Sequence, residues 1–136
     1  MKYMLLVYAS QMDYDAMLGK GEQPWTPEEW AALGEFMESF NADLVTSGEL
    51  VETRGLDAPV HTRRVQLQGG VAVVTDGPYP ETQEVLAGYW IVECDSFDRA
   101  TEIASGLARA AVPERARATA YADVRPITES RLDLEY

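Results

Sequence analysis

The chain has 136 residues, of which 46% are hydrophobic and 25% are charged, and this size and composition fit one globular domain. Its 23 acidic and 11 basic side chains give a formal net charge of −12 at pH 7. Phosphate contacts need clustered Lys and Arg, so this charge argues against nucleic acid as a partner and against docking on an anionic membrane. No run approaches the roughly 20 apolar residues of a membrane span, and no signal-peptide cleavage site follows the apolar start, so we expect a cytoplasmic location.

The beginning of the chain predicts a buried strand followed by a loop. Residues 3–9 are apolar or aromatic at every position, which is typical of a strand buried on both faces. Residues 10–25 are polar and contain Gly19, Gly21 and Pro24, so they predict a long loop with at most one helical turn near residues 14–18.

The clearest predicted element is a helix between Thr26 and Gly48. Thr26 can cap its start, Pro27 suits the first helical position, and Glu29 can close a capping box. Gly48 provides the left-handed residue with which helices often end. Apolar residues recur at spacings of three and four and form one stripe: Trp30, Leu33, Met37, Phe40 and Leu44.

A hairpin is predicted near the middle of the chain. Residues 49–53 form a short strand candidate, and residues 60–68 alternate in the manner of a half-exposed strand. Gly69-Gly70 suits a two-residue turn, after which residues 71–75 return as the partner strand.

The last third predicts a strand, a helix and a strand. Residues 86–93 are a second long apolar run, in which Gly88 permits close approach of another backbone. Asp95 or Ser96 caps a second helix, and residues 118–124 predict the last strand. The inward face of that helix is predicted to consist of Ala100, Ile103, Ala104, Leu107 and Ala108.

The order of these elements predicts an α+β fold of the ferredoxin-like split βαβ type with an inserted β-hairpin. Right-handed crossovers place the two apolar strands in the middle of one sheet, with both helices on one face. Tyr3, Tyr8 and Tyr89 cannot all face the helices, because strand neighbours alternate sides. A bare apolar face is unusual in a monomer, so we expect a homodimer that covers it.

The run Asp76-Gly77-Pro78-Tyr79, within residues 73–84, resembles the DGPF branch of the YCII-related family, as do residues 87–90 that follow. The two ends, residues 1–6 and residues 124–127, resemble the family as well. The resemblance covers residues 1–127 and leaves residues 128–136 as an acidic C-terminal tail. It implies a ferredoxin-like fold and a dimeric α+β barrel.

Two positions depart from the common pattern of that branch. Tyr79 stands where many members have Phe, which adds a hydroxyl group, and Gln83 stands where many have Lys, which removes a cation. Another branch has a His-Asp pair in its cleft, but the first predicted helix here contains no histidine. That pair is therefore not carried over to this chain.

Asp76 is the main candidate for catalysis. Gly77 and Pro78 can force a sharp exit from the strand and leave the Asp76 carboxylate near Glu81 and Thr82. Neighbouring carboxylates can raise each other's pKa and produce a general acid or base. The competing interpretation is that Asp76 only accepts backbone hydrogen bonds within an Asx-type turn.

Tyr79, Glu81, Thr82 and His61 are the candidate substrate-binding residues. His61, the only histidine, titrates in a useful range for a proton shuttle, although the neighbouring arginines disfavour its charged form. The alternative is an ordinary residue of a surface strand.

No metal site and no cofactor site is predicted, because one histidine, one cysteine and scattered carboxylates do not supply a typical ligand set. The leading functional hypothesis is a dimer that binds an organic small molecule in a cleft, with acid/base chemistry; it predicts a concave pocket lined by Asp76. The alternative is a non-catalytic regulatory or protein-interaction module with a shallow exterior patch.

Overall fold

The computed structural model describes residues 1–130 and confirms an α+β architecture. Short 3-10 turns occupy Pro59–His61 and Glu114–Thr119. The helices and strands are, in chain order, β1 (Lys2–Ala9), α1 (Gln11–Met17), α2 (Pro27–Ser47), β2 (Leu50–Gly55), β3 (Arg63–Gln68), β4 (Val71–Asp76), β5 (Val85–Glu93), α3 (Phe97–Ala108) and β6 (Asp123–Pro126). Of the predicted acidic tail, residues 131–136 lie outside the described residues.

The main sheet has four antiparallel strands in the order β2-β5-β1-β6, so the two apolar strands occupy its centre as predicted. Strands β3 and β4 pair only with each other, and residues 1–130 contain no closed barrel. Gly88 of β5 pairs with Gly55 of β2. A Cβ atom added at Gly88 would lie 3.1 Å from the carbonyl oxygen of Arg54. The predicted close backbone approach at Gly88 is therefore confirmed.

One face of the main sheet carries the core. Leu5 and Val92 lie on this face with no exposed surface, and α2 and α3 pack on it through Leu44 and Ile103. The buried residues of this cluster are Tyr3, Leu5, Leu44, Trp90, Val92, Cys94, Ala100, Ile103, Ala104 and Leu107. Ala108 of the predicted inward face is only half-buried.

The opposite face, here called the open face, carries no helix. Alternation along the two central strands places on it four half-buried side chains: Met4, Leu6, Tyr89 and Ile91. Within residues 1–130 no helix is long and apolar enough to cross a membrane.

The predicted boundaries of α2 are confirmed. The Thr26 hydroxyl accepts a hydrogen bond from the backbone N–H of Glu29, whose carboxylate accepts one from the N–H of Thr26. Gly48 ends the helix with φ 79°. Trp30 departs from the predicted buried stripe, since it is 48% exposed at one end of the helix.

Two predicted segments differ from the structure. Residues 10–25 are not simply a loop, because Ser10 and Asp13 form a capping box that starts α1. The last strand begins at Asp123 rather than at residue 118. The second difference arises because the 3-10 turn Glu114–Thr119 occupies the start of the predicted strand. The guanidinium of Arg117, within this turn, donates to the carbonyls of Ala110 and Val112 and ties the turn to the segment before it.

The hairpin β3–β4 turns at Gly69-Gly70 as predicted, with φ of 58° and 81°. Both glycines thus occupy the left-handed region that two-residue hairpin turns favour. Strand β3 was predicted to be half-exposed, but all of its residues are exposed, including Leu67 at 76%. The strand differs because the hairpin does not join the main sheet.

Candidate ligand-binding cavity

A cavity of about 1050 Å³ lies on the helix-bearing side of the main sheet. Its walls come from the ends of β1 and β2, the start of β5, helices α1 and α2, and residues 110–121. These segments are far apart in the sequence, and the packing of α2 on the sheet brings them together. The cavity is as large as typical sites for drug-sized molecules.

All three tryptophans of the chain line this cavity. Trp25 is buried, and its ring meets that of Trp30 edge-on at 6.2 Å between centroids. Trp90 lies on the sheet wall, where Phe40 packs perpendicular to it at 5.8 Å. The backbone N–H of Trp25 donates to the carbonyl of Ala16, which ties the loop after α1 to that helix. The cavity therefore has a rigid aromatic wall suited to an apolar or planar molecule.

Asn41 places an amide in this apolar wall. Its Oδ1 accepts a hydrogen bond of 2.7 Å from the indole Nε1 of Trp90. An indole N–H can only donate, so the atom that faces it must be the amide oxygen. The amide of Asn41 is thereby held in one orientation on the cavity wall.

Tyrosines contribute hydroxyl groups at the cavity. Tyr14 donates to the carbonyl of Leu56 at 2.7 Å, and burial, followed by the Asp57 charge, raises its pKa. Tyr121 donates to Glu84 at 2.9 Å, and this hydrogen bond is the main cause of its raised pKa. Both hydroxyls therefore stay protonated at neutral pH, and each already has an acceptor in the protein.

Charged groups also line the cavity, and one ion pair joins two of its walls. Arg115, in the 3-10 turn, donates to both carboxylate oxygens of Glu29 at 3.0 and 3.2 Å and to the carbonyl of Pro24 at 2.9 Å. The hydrogen bond from Arg115 is the main cause of the lowered pKa of Glu29. Lys20 also lines the cavity, and it forms no ion pair within the described part of the chain. Among residues 1–130 there is no group of His, Cys, Asp and Glu that could hold a metal ion.

Comparison with known protein families matches residues 1–129 to the YCII-related domain. The chain belongs to the YCII-related family. Over 86 residues it is 28% identical to an uncharacterized protein of Rhizobium meliloti (strain 1021), and this alignment spans 63% of the chain and 69% of the relative. The family assigned from the sequence motif is thus confirmed.

Asp76 of this YCII-related protein does not line the cavity, and its side chain is 78% exposed. Its Oδ1 accepts a hydrogen bond of 3.1 Å from Nε of Arg63 across the hairpin. The next residue, Gly77, has φ 53°, and its N–H donates to the carbonyl of Thr62. These contacts are those of a turn that closes the hairpin, and a catalytic role for Asp76 stays a prediction.

The predicted substrate-binding residues are dispersed. Glu81 lines the cavity, and its carbonyl accepts a hydrogen bond from the N–H of Met12 in α1. Tyr79 is half-buried beneath the guanidinium of Arg64, 5.0 Å from its ring centroid, and Thr82 is exposed. None of the described cavity lining comes from Tyr79, Thr82 or His61.

His61 has a partner that sequence reasoning missed. Its Nδ1 lies 3.1 Å from Oδ2 of Asp57, four residues earlier, and both side chains are exposed. The spacing of four residues was the available signal, because the 3-10 turn Pro59–His61 brings the chain back towards Asp57. This pair lies outside the cavity wall, so the substrate-binding role of His61 also stays a prediction.

Asp76→Asn is expected to change the free energy of unfolding by no more than about 1 kcal/mol, because exposed ion pairs stabilise proteins weakly. Asparagine keeps an oxygen that Arg63 can donate to, so the hairpin closure should persist. Urea unfolding measures the effect, with Arg63→Gln as the matched control from the other side of the pair. A loss of more than about 2 kcal/mol in the free energy of unfolding would show that the Asp76 carboxylate makes stabilising contacts beyond its ion pair with Arg63.

Proposed function

We propose that this YCII-related protein binds an apolar organic small molecule in the cavity beside helix α2. The observation that carries the proposal is that all three tryptophans line one cavity of about 1050 Å³. Aromatic walls with a few fixed polar groups are the usual composition of small-molecule sites. Trp90 also belongs to the core cluster, so the proposal rests on three tryptophans bordering the same space rather than on any one of them.

The electrostatics favour a ligand that is not strongly anionic. The chain has a net charge of −12, and Arg115 of the cavity wall is already paired with Glu29. A charged phosphate or nucleotide would therefore meet an unfavourable overall potential. If the protein catalyses proton transfer on a bound molecule, Glu81 is the best placed general acid or base. It is the one carboxylate among the predicted site residues that lines the cavity.

Binding is testable with N-phenyl-1-naphthylamine, a neutral probe whose fluorescence rises in apolar sites. We expect energy transfer from the cavity tryptophans to the bound probe. Trp30→Ala should weaken binding about tenfold, because a contact with one large aromatic surface is lost. Phe97→Ala is a matched control: Phe97 also lies in the first turn of a helix and is 47% exposed against 48% for Trp30, but it is outside the cavity wall.

Two results would contradict this function. The first is a probe that fails to bind at micromolar concentration. The second is equal weakening by Trp30→Ala and Phe97→Ala, which would place the probe elsewhere on the surface. Thermal melting of both variants establishes that each is folded before titration.

We also propose that the chain is a ferredoxin-like protein of the DGPF branch that forms a homodimer through the open face. The strand order β2-β5-β1-β6, with α2 and α3 as crossovers, supports the fold assignment. Two such open faces in contact would form the dimeric α+β barrel that the family resemblance implies. The cytoplasmic location of the protein remains a prediction.

The open face supports this proposal by its apolar residues and its charges. Its four strands have 6, 9, 8 and 4 residues, so at about 3.3 Å per residue and about 4.8 Å between strands the face covers roughly 430 Å² per copy. Two faces would bury roughly 860 Å² measured as flat areas, so residues beyond the strands must contribute to an interface of the usual size. Each edge of the face has both signs of charge: Glu52 and Arg54 on β2, Asp123 and Arg125 on β6. Either edge can therefore meet opposite charges on a second copy.

A non-catalytic interaction module is the second candidate function, and one observation favours it. Strands β3 and β4 form an isolated hairpin whose apolar residues are exposed to solvent, among them Val65 at 65% and Val74 at 57%. Two-stranded hairpins are marginally stable without a covering partner. Under this alternative the hairpin, rather than the cavity, is the functional part of the chain.

A further inference from the structure

The amide nitrogen of Asn41 is unused, although its oxygen is not. Its Oδ1 accepts from Trp90, but among residues 1–130 no acceptor is hydrogen-bonded to its Nδ2 group. The bond to Trp90 prevents the amide from flipping, so a donor with fixed identity remains at the cavity wall. Asn41 as a whole is half-buried, and its unpartnered Nδ2 is open to solvent rather than buried. A ligand that excludes water from the cavity would make a hydrogen bond to this donor contribute more than it does in bulk water.

The position of Asn41 on helix α2 is unusual for a polar residue. It lies four residues after Met37 and three before Leu44, so it shares the helix face that packs on the sheet. Packing alone would favour an apolar side chain at such a position. The bond to Trp90 accounts for the amide oxygen there, and it leaves the amide nitrogen for a second contact.

Most of the neighbouring donors are already used within the protein. The Thr53 hydroxyl donates to the carbonyl of Tyr89 at 3.0 Å, and the Tyr14 hydroxyl donates to that of Leu56. Arg115 is committed to Glu29 and Pro24. Among the described residues, the side chains of Lys20 and Gln23 also line the cavity without a hydrogen bond, but both residues are exposed. Their donors are therefore well hydrated and less fixed in position than the Asn41 amide.

We propose that the cavity selects neutral molecules with an apolar ring body and a carbonyl-type acceptor oxygen, to which Nδ2 of Asn41 donates. The inference rests on the proposed function, because it names the ligand class of the same cavity. A carboxylate ligand fits less well, since Asp13, Asp15 and Glu81 also line the cavity of an acidic chain.

A matched pair of ligands tests this selection. 1-Tetralone and tetralin have the same two-ring body and differ in one carbonyl oxygen. Each is titrated against wild-type protein loaded with N-phenyl-1-naphthylamine, and displacement of that probe reports affinity. We expect 1-tetralone to bind about three- to tenfold tighter than tetralin, the range that one net hydrogen bond provides.

Asn41→Asp is the decisive variant. The carboxylate still accepts from Trp90 and has nearly the same shape, but it offers no donor. The preference for 1-tetralone should disappear, while 1-aminotetralin, which supplies a donor of its own, should bind more tightly than it does to wild type. Asn41→Leu also lacks a donor and introduces no charge. It should lose the preference for 1-tetralone as well, and it replaces Asn41→Asp in the test if that variant fails to fold.

The outcomes separate the two proposals. Equal displacement by both ligands in wild type overturns the selection and leaves the proposed binding function intact. A preference that survives both substitutions also overturns it, because the donor then lies elsewhere. Failure of the probe and of both ligands to bind wild type overturns the proposed function and this inference with it.

Discussion

Leu5→Ala is expected to lower the free energy of unfolding by about 2–5 kcal/mol, the range observed when a fully buried leucine is truncated. Leu5 has no exposed surface and lies on a central strand, opposite Trp90 on β5 and Val124 on β6. The neighbouring strands are fixed by backbone pairing, so they cannot collapse fully into the space that the side chain leaves. The expected cost is a large fraction of the stability of an ordinary domain.

Urea denaturation of wild type and variant measures this effect as a shift of the midpoint at constant slope. The matched control is Leu67→Ala, the same substitution in a strand where the side chain is 76% exposed, which should change stability by no more than about 0.5 kcal/mol. A Leu5→Ala cost below about 1 kcal/mol would contradict the placement of Leu5 at the centre of the core.

Local signals were sufficient where an element is determined by a few neighbouring residues. Thr26, Glu29 and Gly48 predicted both ends of α2, because caps satisfy backbone groups within one turn of the helix. Gly69-Gly70 predicted the hairpin turn for a similar reason, since its conformation depends on those two residues. The central position of β1 and β5 followed from their apolar runs together with the right-handed crossovers that the order of elements requires.

Helix α1 was missed although its signal was present. Ser10 and Asp13 have the spacing of a capping box, but Gly19, Gly21 and Pro24 indicated a loop for the whole segment. The helix is only 7 residues long and has no buried residue. A helix so short is stabilised by its cap and its tertiary contacts rather than by an apolar stripe. Hydrophobic periodicity therefore cannot detect it.

The cavity could not be predicted from single segments. Trp30 was assigned to the core because it has the helical spacing of the apolar stripe, but it borders the cavity. The cavity exists only because segments distant in the sequence pack around it. The one available signal was Asn41, a polar residue at a core-facing position between Met37 and Leu44. The motif around Asp76 indicated the family correctly. The structure places residues 76–79 at the base of the hairpin rather than on the cavity wall, and only Glu81 from the rest of the motif lines the cavity.

Leu6→Glu is expected to dissociate the proposed homodimer. Leu6 follows Leu5 in β1 but faces the opposite side of the sheet, where it is half-buried beside Tyr89. In the dimer, each copy would bury an unpaired carboxylate near the centre of the interface, at a cost of several kcal/mol. The dissociation constant should therefore rise more than about 100-fold.

Sedimentation equilibrium measures this effect directly. We expect wild type to have twice the 15.1 kDa mass of the chain at micromolar concentration, and Leu6→Glu to have the mass of one chain. The matched control is Val74→Glu, which places the same carboxylate on the hairpin at a residue that is 57% exposed. If Val74→Glu dissociated the dimer and Leu6→Glu did not, the interface would lie on the hairpin instead. A monomeric wild type would contradict the dimer proposal.

Because Leu6 and Leu5 are adjacent and point to opposite faces, a folded Leu6→Glu monomer would also show that the core on the helix side folds without the partner.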